Sequence, residues 1–204
     1  MLEGANLTDA FERMQAAHPD WSEASRGAVR DLAWSTLREF RRGGVVLDKL
    51  LHTPPAIPIH ALLLVALLRL RQRPEQAHTV VAQAVQAAAS IMPGLKNLVN
   101  GVLRNALRQR EQWPVWEARD PEARHGFPRW WIERVRAAHP AHWEAMLAAG
   151  NTRPPMALRV NPRRGTVQAA IEALAGAGRS ARRVDNDALV LAAPLPVALL
   201  PGYA

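Results

Sequence analysis

Cationic and amide side chains recur at four-residue intervals near the middle of the chain. Lys96, Asn100, Arg104 and Arg108 form one slowly turning row if this segment is helical. An apolar stripe runs beside the row and comprises Leu95, Leu98, Val99, Val102, Leu103, Ala106 and Leu107. A row of cations with an amide matches a phosphate backbone in spacing and polarity. Two interpretations stay open here: an RNA-binding row, or the solvated face of an ordinary amphipathic helix.

The net charge points in the same direction as the row. The chain of 204 residues carries a formal charge of +8, and Lys49 and Lys96 are its only lysines among 26 basic residues. Residues 151–204 hold seven arginines against three carboxylates, so this quarter of the chain carries half of the net charge. Guanidinium groups favour phosphate partners, although an arginine bias also arises from genome composition. The uneven distribution favours a local binding face.

Residue types that carry covalent or metal chemistry are scarce. The sequence contains no cysteine, which excludes a disulfide framework, a thiolate zinc site and a cysteine nucleophile within it. His139 and His142 are three residues apart, but Pro140 interrupts the helix between them. The glycines of Gly176-Ala177-Gly178 follow a predicted helix instead of opening one, so they indicate a turn and not a dinucleotide loop. We therefore assign no catalytic, cofactor-binding or metal-binding residue.

No segment has the length and composition of a membrane span. The longest apolar run, Ile59 to Leu68, includes His60 and is roughly half of the ~20 residues that a spanning helix needs. The N-terminus lacks the basic and apolar regions of a secretory signal. We expect a soluble, cytoplasmic protein with no membrane partner.

Apolar periodicity predicts a mainly α protein. Helices are predicted in a bundle over residues 1–113. Their approximate ranges are Leu7–Met14, Ser22–Phe40, Val45–Leu51, Ile59–Arg71, Glu75–Ile91 and Leu95–Trp113. Gly43-Gly44 is expected to end the second helix. Ile59–Arg71 is apolar nearly all round, which is typical of a central helix.

The second part of the chain has a different pattern. Pro114, Pro121 and Gly126 among charged residues predict a linker over 114–126. Residues 127–204 then form the second domain, with helices from Pro128 to Ala138 and from Pro140 to Ala149. A small α/β unit closes it, with extended pieces and one helix. Their ranges are Met156–Val160, Thr166–Ala175 (helix), Ala181–Val184 and Ala188–Leu191.

Tryptophans cluster around the predicted linker. They are Trp113, Trp116, Trp130, Trp131 and Trp143. Exposed aromatics beside arginines stack on unpaired bases, and buried ones join domains. We favour the second role.

Several runs resemble one family. Leu95–Arg104 and His78–Val85 resemble the last helices of a NusB-like domain, in the version found at the front of the RsmB/Fmu (Sun) ribosomal-RNA cytosine-5 methyltransferases. Gln83 replaces the usual glutamate. The remaining runs resemble the segment that leads into the methyltransferase, and they follow in the family's order: Phe127–Trp131, Asn151–Pro155, Leu158–Asn161 and Leu200–Tyr203. An antitermination factor of the NusB type would end near Trp113.

The resemblance implies a fold, a partner and a cofactor. The fold is a NusB-like bundle followed by a small RRM-like α/β subdomain. The partner is small-subunit ribosomal RNA, and the reaction is methyl transfer from S-adenosylmethionine to carbon 5 of a cytosine. The family's cysteine nucleophile and cofactor loop would lie after Ala204, so we expect these residues alone neither to bind the cofactor nor to methylate. Met1–Leu7 resembles the turn after the family's first helix, so that helix is expected to be missing.

The resemblance also selects residues. Asn100, Gly101 and Arg104 are motif positions, and we expect Gly101 to allow close helix packing and Asn100 either to satisfy backbone groups or to bind RNA. The basic subdomain is expected to present a patch to RNA. That patch comprises Arg153, Arg159, Asn161, Arg163 and Arg164.

Two other functions stay open. One is a non-enzymatic NusB-like module for antitermination or ribosome assembly, with protein partners bound through the bundle. Residues 127–204 discriminate against it, because such a factor does not need them. The other is a folding unit with no activity of its own.

Overall fold

The computed structural model describes residues 6–152 and 154–202. The chain divides into two compact units, Met1–Asn151 and Thr152–Ala204. The first is helical, and the second combines a helix with a three-stranded antiparallel sheet. The predicted fold class, mainly α with a small α/β unit, is confirmed.

The helical unit contains α1 to α10. Their bounds are α1 Leu7–Ala17, α2 Glu23–Arg38, α3 Phe40–Leu50, α4 Ile57–Gln72, α5 Ala77–Ile91, α6 Lys96–Arg108, α7 Trp113–Ala118, α8 Pro121–His125, α9 Arg129–Ala138 and α10 Trp143–Asn151. Short 3-10 turns precede α5, α6 and α7 and begin at Pro74, Pro93 and Arg110. Side-chain oxygens of Asn6, Ser22 and Asp120 cap α1, α2 and α8, so local sequence fixes where these helices begin.

The main core forms where α3, α4, α5 and α6 meet. Helix α4 is apolar on nearly every side, and Ile59, Leu63, Leu67 and Leu70 are fully buried. Leu103 of α6 is also fully buried in this core. The prediction of a central helix at this position is confirmed, since an all-apolar helix is stable only when neighbours cover every face.

Gly43 and Gly44 do not end a helix, so that prediction was wrong. Helix α2 ends at Arg38, and α3 continues through both glycines. A Cβ atom at position 43 would lie 2.8 Å from Leu64 Cδ2, whereas at position 44 the nearest atom would be Arg41 Nη1 at 3.7 Å. Gly43 therefore allows α3 to approach α4 closely, and packing overrides the low helix propensity of glycine.

The segment 114–126, predicted as a linker, is ordered and helical. Helix α8 and all but the first residue of α7 lie within it, and both helices pack against α3. Arg41 donates hydrogen bonds to Asp120 over 2.6 and 3.1 Å, and Arg42 donates to the carbonyl of Ala123 over 3.1 Å. Proline occupies the first turn of each helix, where its missing N–H costs nothing. The prolines therefore mark helix starts and not a flexible connection.

Arg71, near the end of α4, joins this helix to α7 and to the junction between α2 and α3. Its guanidinium forms a forked pair with Glu117 of α7, and its Nε lies 3.5 Å from Glu39 Oε2, between α2 and α3. The same group lies 5.4 Å from the ring centroid of the buried Trp113. One side chain thus contacts two carboxylates and an indole, an arrangement that the planar guanidinium permits.

Helices α9 and α10 form a second, smaller core within the helical unit. Ile132, Val135 and Leu147 are buried there. Asn151, the last residue of α10, donates from Nδ2 to the carbonyl of His125 over 2.6 Å. Gly126 has φ +70°, and a Cβ there would lie 3.0 Å from the Asn151 amide, so the turn after α8 needs glycine. These contacts hold α10 to the turn after α8, within the first compact unit, and the second compact unit begins at Thr152.

The second unit follows the order β1, α11, β2, β3. The bounds are β1 Ala157–Arg159, α11 Val167–Gly176, β2 Ala181–Arg183 and β3 Ala188–Leu191, with β3 central in the sheet order β1-β3-β2. Leu158 and Arg183 both lie opposite Leu189. Val167, Leu174, Leu189 and Leu191 form the buried core. The predicted strands and helix are confirmed to within two residues at each end.

Within residues 6–152 and 154–202, no helix is long and apolar enough to cross a membrane.

Candidate nucleic-acid interface

The predicted cationic row lies on α6. Lys96, Arg104 and Arg108 are exposed, and Asn100 is half-buried. Arg104 donates from Nε to Asn100 Oδ1 over 3.0 Å. In the described parts of the chain, no carboxylate lies within 4 Å of the three cationic groups. The row is therefore available to an external anion, and its Asn100 amide holds one of the row's own arginines.

The apolar stripe beside the row is buried except at its edges. Val99, Val102, Leu103 and Ala106 are buried, whereas Leu98 is 38% exposed. Gly101 has no atom within 4 Å of where a Cβ would lie. The expectation that Gly101 allows close helix packing was therefore wrong: it lies on the exposed side of α6, where no neighbouring helix approaches.

Arg159 ends β1 and is bonded to an acid. Its Nε donates to Asp187 Oδ2 over 2.7 Å, and its side chain is 83% exposed. The bond uses only the Nε–H group of the guanidinium, so both terminal nitrogens stay available for a phosphate. Asp187 also lowers the positive potential at this position, which weakens attraction of an anion.

Asn161 shapes the turn that presents the next two arginines. Its Oδ1 accepts the backbone N–H of Arg163 over 3.0 Å, and its carbonyl accepts the N–H of Arg164 over 2.9 Å. This is an Asx-type turn, in which the side chain replaces a backbone partner. The side chains of Arg163 and Arg164 are exposed, and no carboxylate pairs with them among the described residues. Arg153, the remaining predicted residue, lies outside the described residues, as does Tyr203.

The sheet places a further arginine, which the sequence analysis missed, on the same face as Arg159. Ala157 and Arg182 both lie opposite Val190, and Arg159 lies opposite Ala188. Opposed residues share a face, so Arg159 and Arg182 lie on the outer face of the sheet. The two-residue period of a strand puts Arg182 and Arg183 on opposite faces, but the period alone does not say which of them faces outward. The strands carry no aromatic residue on this face, so it lacks the stacking platform of a typical RRM.

A groove opens in the second unit between β1 and α11. Its volume is about 570 Å³, and its lining includes Leu158, Arg159, Arg164, Ala173 and Leu200. A neighbouring cleft of about 350 Å³ shares Val160, Gly165 and Thr166 with it. The turn that carries Arg163 and Arg164 thus lies between two concave surfaces.

The tryptophans divide into two groups. Trp113 is buried, Trp116 packs partly against the main core, and Trp143 packs against the smaller one. Trp130 is 61% exposed and Trp131 is 38% exposed, with ring centroids 5.6 Å apart. The first group packs within the helical unit, whereas the role that we favoured was to join two domains. Trp130 and Trp131 do not pack in this way.

Shifted pKa values occur in the helical unit, where they accompany packing. The hydrogen bonds that Arg41 donates to Asp120 raise the pKa of Arg41. Burial opposes the charged form of Asp120, but the bonds from Arg41 and the Ala123 N–H outweigh it and lower its pKa. Burial, together with the nearby charge of Arg124, lowers the pKa of His125. Within the described residues, no group of three His, Asp or Glu side chains has the geometry of a metal site.

Comparison with known families matches two regions of the chain. The NusB family model matches residues 1–108, slightly more than half of the chain. The model described as Methyltr_RsmF/B-like, ferredoxin-like domain matches residues 127–198. The order of the two matches is the order that the sequence motifs implied.

Among the proteins similar to this chain are several named ribosomal RNA small subunit methyltransferase B. The chain is 39% identical to the Pseudomonas putida protein over 89% of its own length and 43% of the relative's. It is 34% identical to the Serratia proteamaculans protein over 99% of its length and 48% of the relative's. The chain therefore spans less than half the length of these relatives.

One solved structure, titled "Crystal Structure of PH0851", has a similar fold. Its TM-score is 0.59 at 15% sequence identity, and the match covers 94% of this chain and 45% of that one. At this identity the likeness concerns the fold alone. The family matches go further: the chain belongs to the NusB family, and it joins a NusB region to the ferredoxin-like domain of the RsmF/B-like methyltransferases.

Proposed function

We propose that this chain binds small-subunit ribosomal RNA as the recognition region of a cytoplasmic, S-adenosylmethionine-dependent cytosine-5 methyltransferase. The observation that carries the proposal is the run Arg159–Arg164. Its arginines are exposed at the end of β1 and in the following turn, and two of them lack a carboxylate partner among the described residues. Relatives named ribosomal RNA small subunit methyltransferase B share this region and support the choice of RNA as the anion.

The chain's own part in the reaction is binding and orientation. Its 204 residues contain no cysteine, so the nucleophile of the family's chemistry is not among them. We propose that the bundle and the α/β unit hold the RNA while another region supplies the cofactor and the methyl transfer. On their own, these residues should bind RNA without methylating it.

Two surfaces are assigned to RNA. The first is the Arg159–Arg164 run with the outer-face Arg182, and the second is the row of Lys96, Asn100, Arg104 and Arg108 on α6. Phosphate contacts position a nucleic acid without reading its sequence. We therefore expect both surfaces to add affinity with little base specificity.

The test is a salt titration of RNA binding by variants that each remove one arginine. Fluorescence anisotropy with labelled small-subunit ribosomal RNA fragments should show affinity that falls steeply with KCl. Arg163→Ala should weaken binding several-fold and lower the salt slope by about 1, the value for one lost phosphate contact. Arg104→Ala should have a similar but smaller effect.

Arg179→Ala is the matched control. It also removes an exposed arginine from the second unit, but Arg179 follows the C-terminal end of α11, whereas Arg163 precedes its start. The ten-residue helix separates the two by roughly 15 Å. Affinity that is independent of salt, or equal losses in Arg163→Ala and Arg179→Ala, would refute the assignment of this surface.

The NusB match favours a second candidate, a non-enzymatic module that binds a protein partner through the bundle. The ferredoxin-like region over 127–198 supports the first candidate over this one. Recovery of one ribosomal or transcription protein with the chain after nuclease treatment, unaffected by Arg163→Ala, would favour the second.

A further inference from the structure

A small cavity lies inside the helical unit, where α2, α3 and α4 meet. Thr36 of α2, Glu39 between α2 and α3, and Arg71 of α4 contribute its polar lining. Gly43 and three leucines of α4 complete the wall. The cavity has a volume of about 10 Å³. One water molecule needs roughly 10–15 Å³ of such space, so the cavity has room for a single molecule of that size.

Thr36 and Glu39, which line this cavity, each have a buried side-chain oxygen atom. Within residues 6–152 and 154–202, neither Thr36 Oγ1 nor Glu39 Oε2 has a hydrogen-bond partner. Glu39 Oε2 approaches Arg71 Nε only to 3.5 Å, which is beyond ordinary hydrogen-bond distance. Native proteins usually satisfy such atoms with a protein group or an ordered water. Because the residues around the cavity already cover both oxygens, their partner has to fit inside it.

The charges around the cavity restrict the partner further. The carboxylate of Glu39 disfavours an anion, and the guanidinium of Arg71 on the same wall disfavours a cation. The leucines offer no polar atom. A neutral molecule that donates to a carboxylate and also bonds to a hydroxyl is therefore required. Water meets this requirement, since buried water molecules typically make two to four hydrogen bonds.

We propose that this cavity binds one structural water molecule, which donates a hydrogen bond to Glu39 Oε2 and is hydrogen-bonded to Thr36 Oγ1. The water joins the last turn of α2 to the residue between α2 and α3. It also holds the Glu39 carboxylate beside Arg71 of α4. The site does not depend on the proposed RNA binding, because none of its residues belongs to the surfaces assigned to RNA.

The first test counts bound water molecules in the full chain. Oxygen-17 relaxation dispersion detects water that stays in a protein for longer than the protein takes to tumble, and hydroxyl protons do not affect it. Thr36→Val replaces the hydroxyl by a methyl group of similar size and should lower the count by one. Thr36→Ser keeps the oxygen and should retain the count. Thr79→Val, at an exposed threonine of α5, is the matched control and should also retain it.

The second test is the sign of the stability change. With water bound, Thr36→Val removes a satisfied hydroxyl, and it should raise the equilibrium constant for unfolding in urea about fivefold. If the cavity binds no water, the same substitution removes an unpaired buried hydroxyl and should make the chain more stable. Valine and threonine have similar helix propensities, so propensity does not decide the sign. Thr79→Val should change the constant by less than twofold.

Two results would overturn the proposal. One is an equal water count in the unchanged chain and in Thr36→Val, and the other is a Thr36→Val variant that unfolds at a higher urea concentration. Circular dichroism should show the native helix content in each variant. If Thr36→Val does not fold, Glu39→Ala removes the second bond and should lower the count by one. An unchanged count in Glu39→Ala would then exclude the site.

Discussion

In the helical unit, Arg41 and Arg71 lie between helices and bond to carboxylates of other elements, whereas Arg163 and Arg164 of the α/β unit extend into solvent. The cores differ as well. Among the described residues, the bundle core contains 17 buried residues and the core of the second unit contains four. The same residue type therefore stabilises tertiary structure in one region and stays available to a ligand in the other. Counting arginines cannot separate the two uses, because the difference lies in which carboxylates the fold brings near.

The largest expected effect separates the two cores. Leu103→Ala and Leu189→Ala each truncate a fully buried leucine, a change that costs about 2–5 kcal/mol. The bundle should stay folded with a lower urea midpoint. The second unit should lose most of its structure, because a four-residue core has little stability in reserve. Hydrogen exchange measured by mass spectrometry should show lost protection over residues 157–191 in Leu189→Ala. Retained protection there would show that the second unit is more stable than its core indicates.

Two aspartates allow the part-buried ion pair of the helical unit to be compared with the exposed ion pair of the second unit. Asp120→Ala removes the cap of α8 and the partner of Arg41, and it should lower the free energy of unfolding by about 2 kcal/mol. Asp187→Ala removes the exposed partner of Arg159 and should cost at most about 0.5 kcal/mol. It should also raise RNA affinity about two- to threefold, because it removes a negative charge from the basic run.

The Asp120 contribution should depend on pH in a defined direction. Its pKa is lowered on folding, so the stabilisation is complete above the ordinary value of 3.8 and is lost as pH falls through the folded-state value. Urea unfolding of the unchanged chain and of Asp120→Ala should therefore differ most near neutral pH and converge in acid. An equal difference at pH 7 and in strong acid would contradict the assigned ion pair.

Two glycines of the bundle should respond in opposite directions, with the smallest effects. Gly101→Ala should stabilise α6 by up to about 1 kcal/mol, since alanine is the better helix former and no atom contacts the added methyl group. Gly43→Ala gains the same propensity but displaces Leu64, and it should be destabilising by about 1 kcal/mol overall. Gly44→Ala serves as the control, because the nearest atom to its added methyl group would be Arg41 Nη1 at 3.7 Å, an ordinary van der Waals contact. Thermal unfolding of the three variants measures the differences, and a stabilised Gly43→Ala would show that Leu64 repacks freely.

Apolar periodicity and helix-start residues correctly predicted those helices and strands whose positions depend on the local sequence. The apolar run of α4, the strand over Met156–Val160 and the helix predicted over Thr166–Ala175 each lie within two residues of where the pattern placed them. The Asn161 turn was not predicted, but Asn161 and its arginines were identified through the motif. The order of the motifs along the chain indicated the family. The chemistry of individual residues would not have indicated it.

The features that the sequence did not predict correctly are those that tertiary contacts determine. Gly43-Gly44 has the composition of a helix end, but contact with Leu64 makes it a helix interior. The proline-containing segment 114–126 has the composition of a linker, but Asp120 and Ala123 bond to arginines some 80 residues away. Arg182 was missed because neither face of β2 is clearly apolar in the sequence. The pairing of β2 with β3 must be known before Arg182 can be assigned to the outer face. None of these contacts is visible without knowing which helices and strands are neighbours.

The cluster around Arg71 has a consequence for behaviour on heating. Removing charges from water costs less as temperature rises, while stabilisation by apolar burial levels off. A guanidinium already placed between two carboxylates and an indole should then hold α4 to α7 when the surrounding aliphatic contacts have weakened. Concentrated salt should loosen this joint only slightly, because Arg71 and Glu117 are largely shielded from solvent. The joint between the bundle and the helices that follow it should therefore be among the last parts of the helical unit to open.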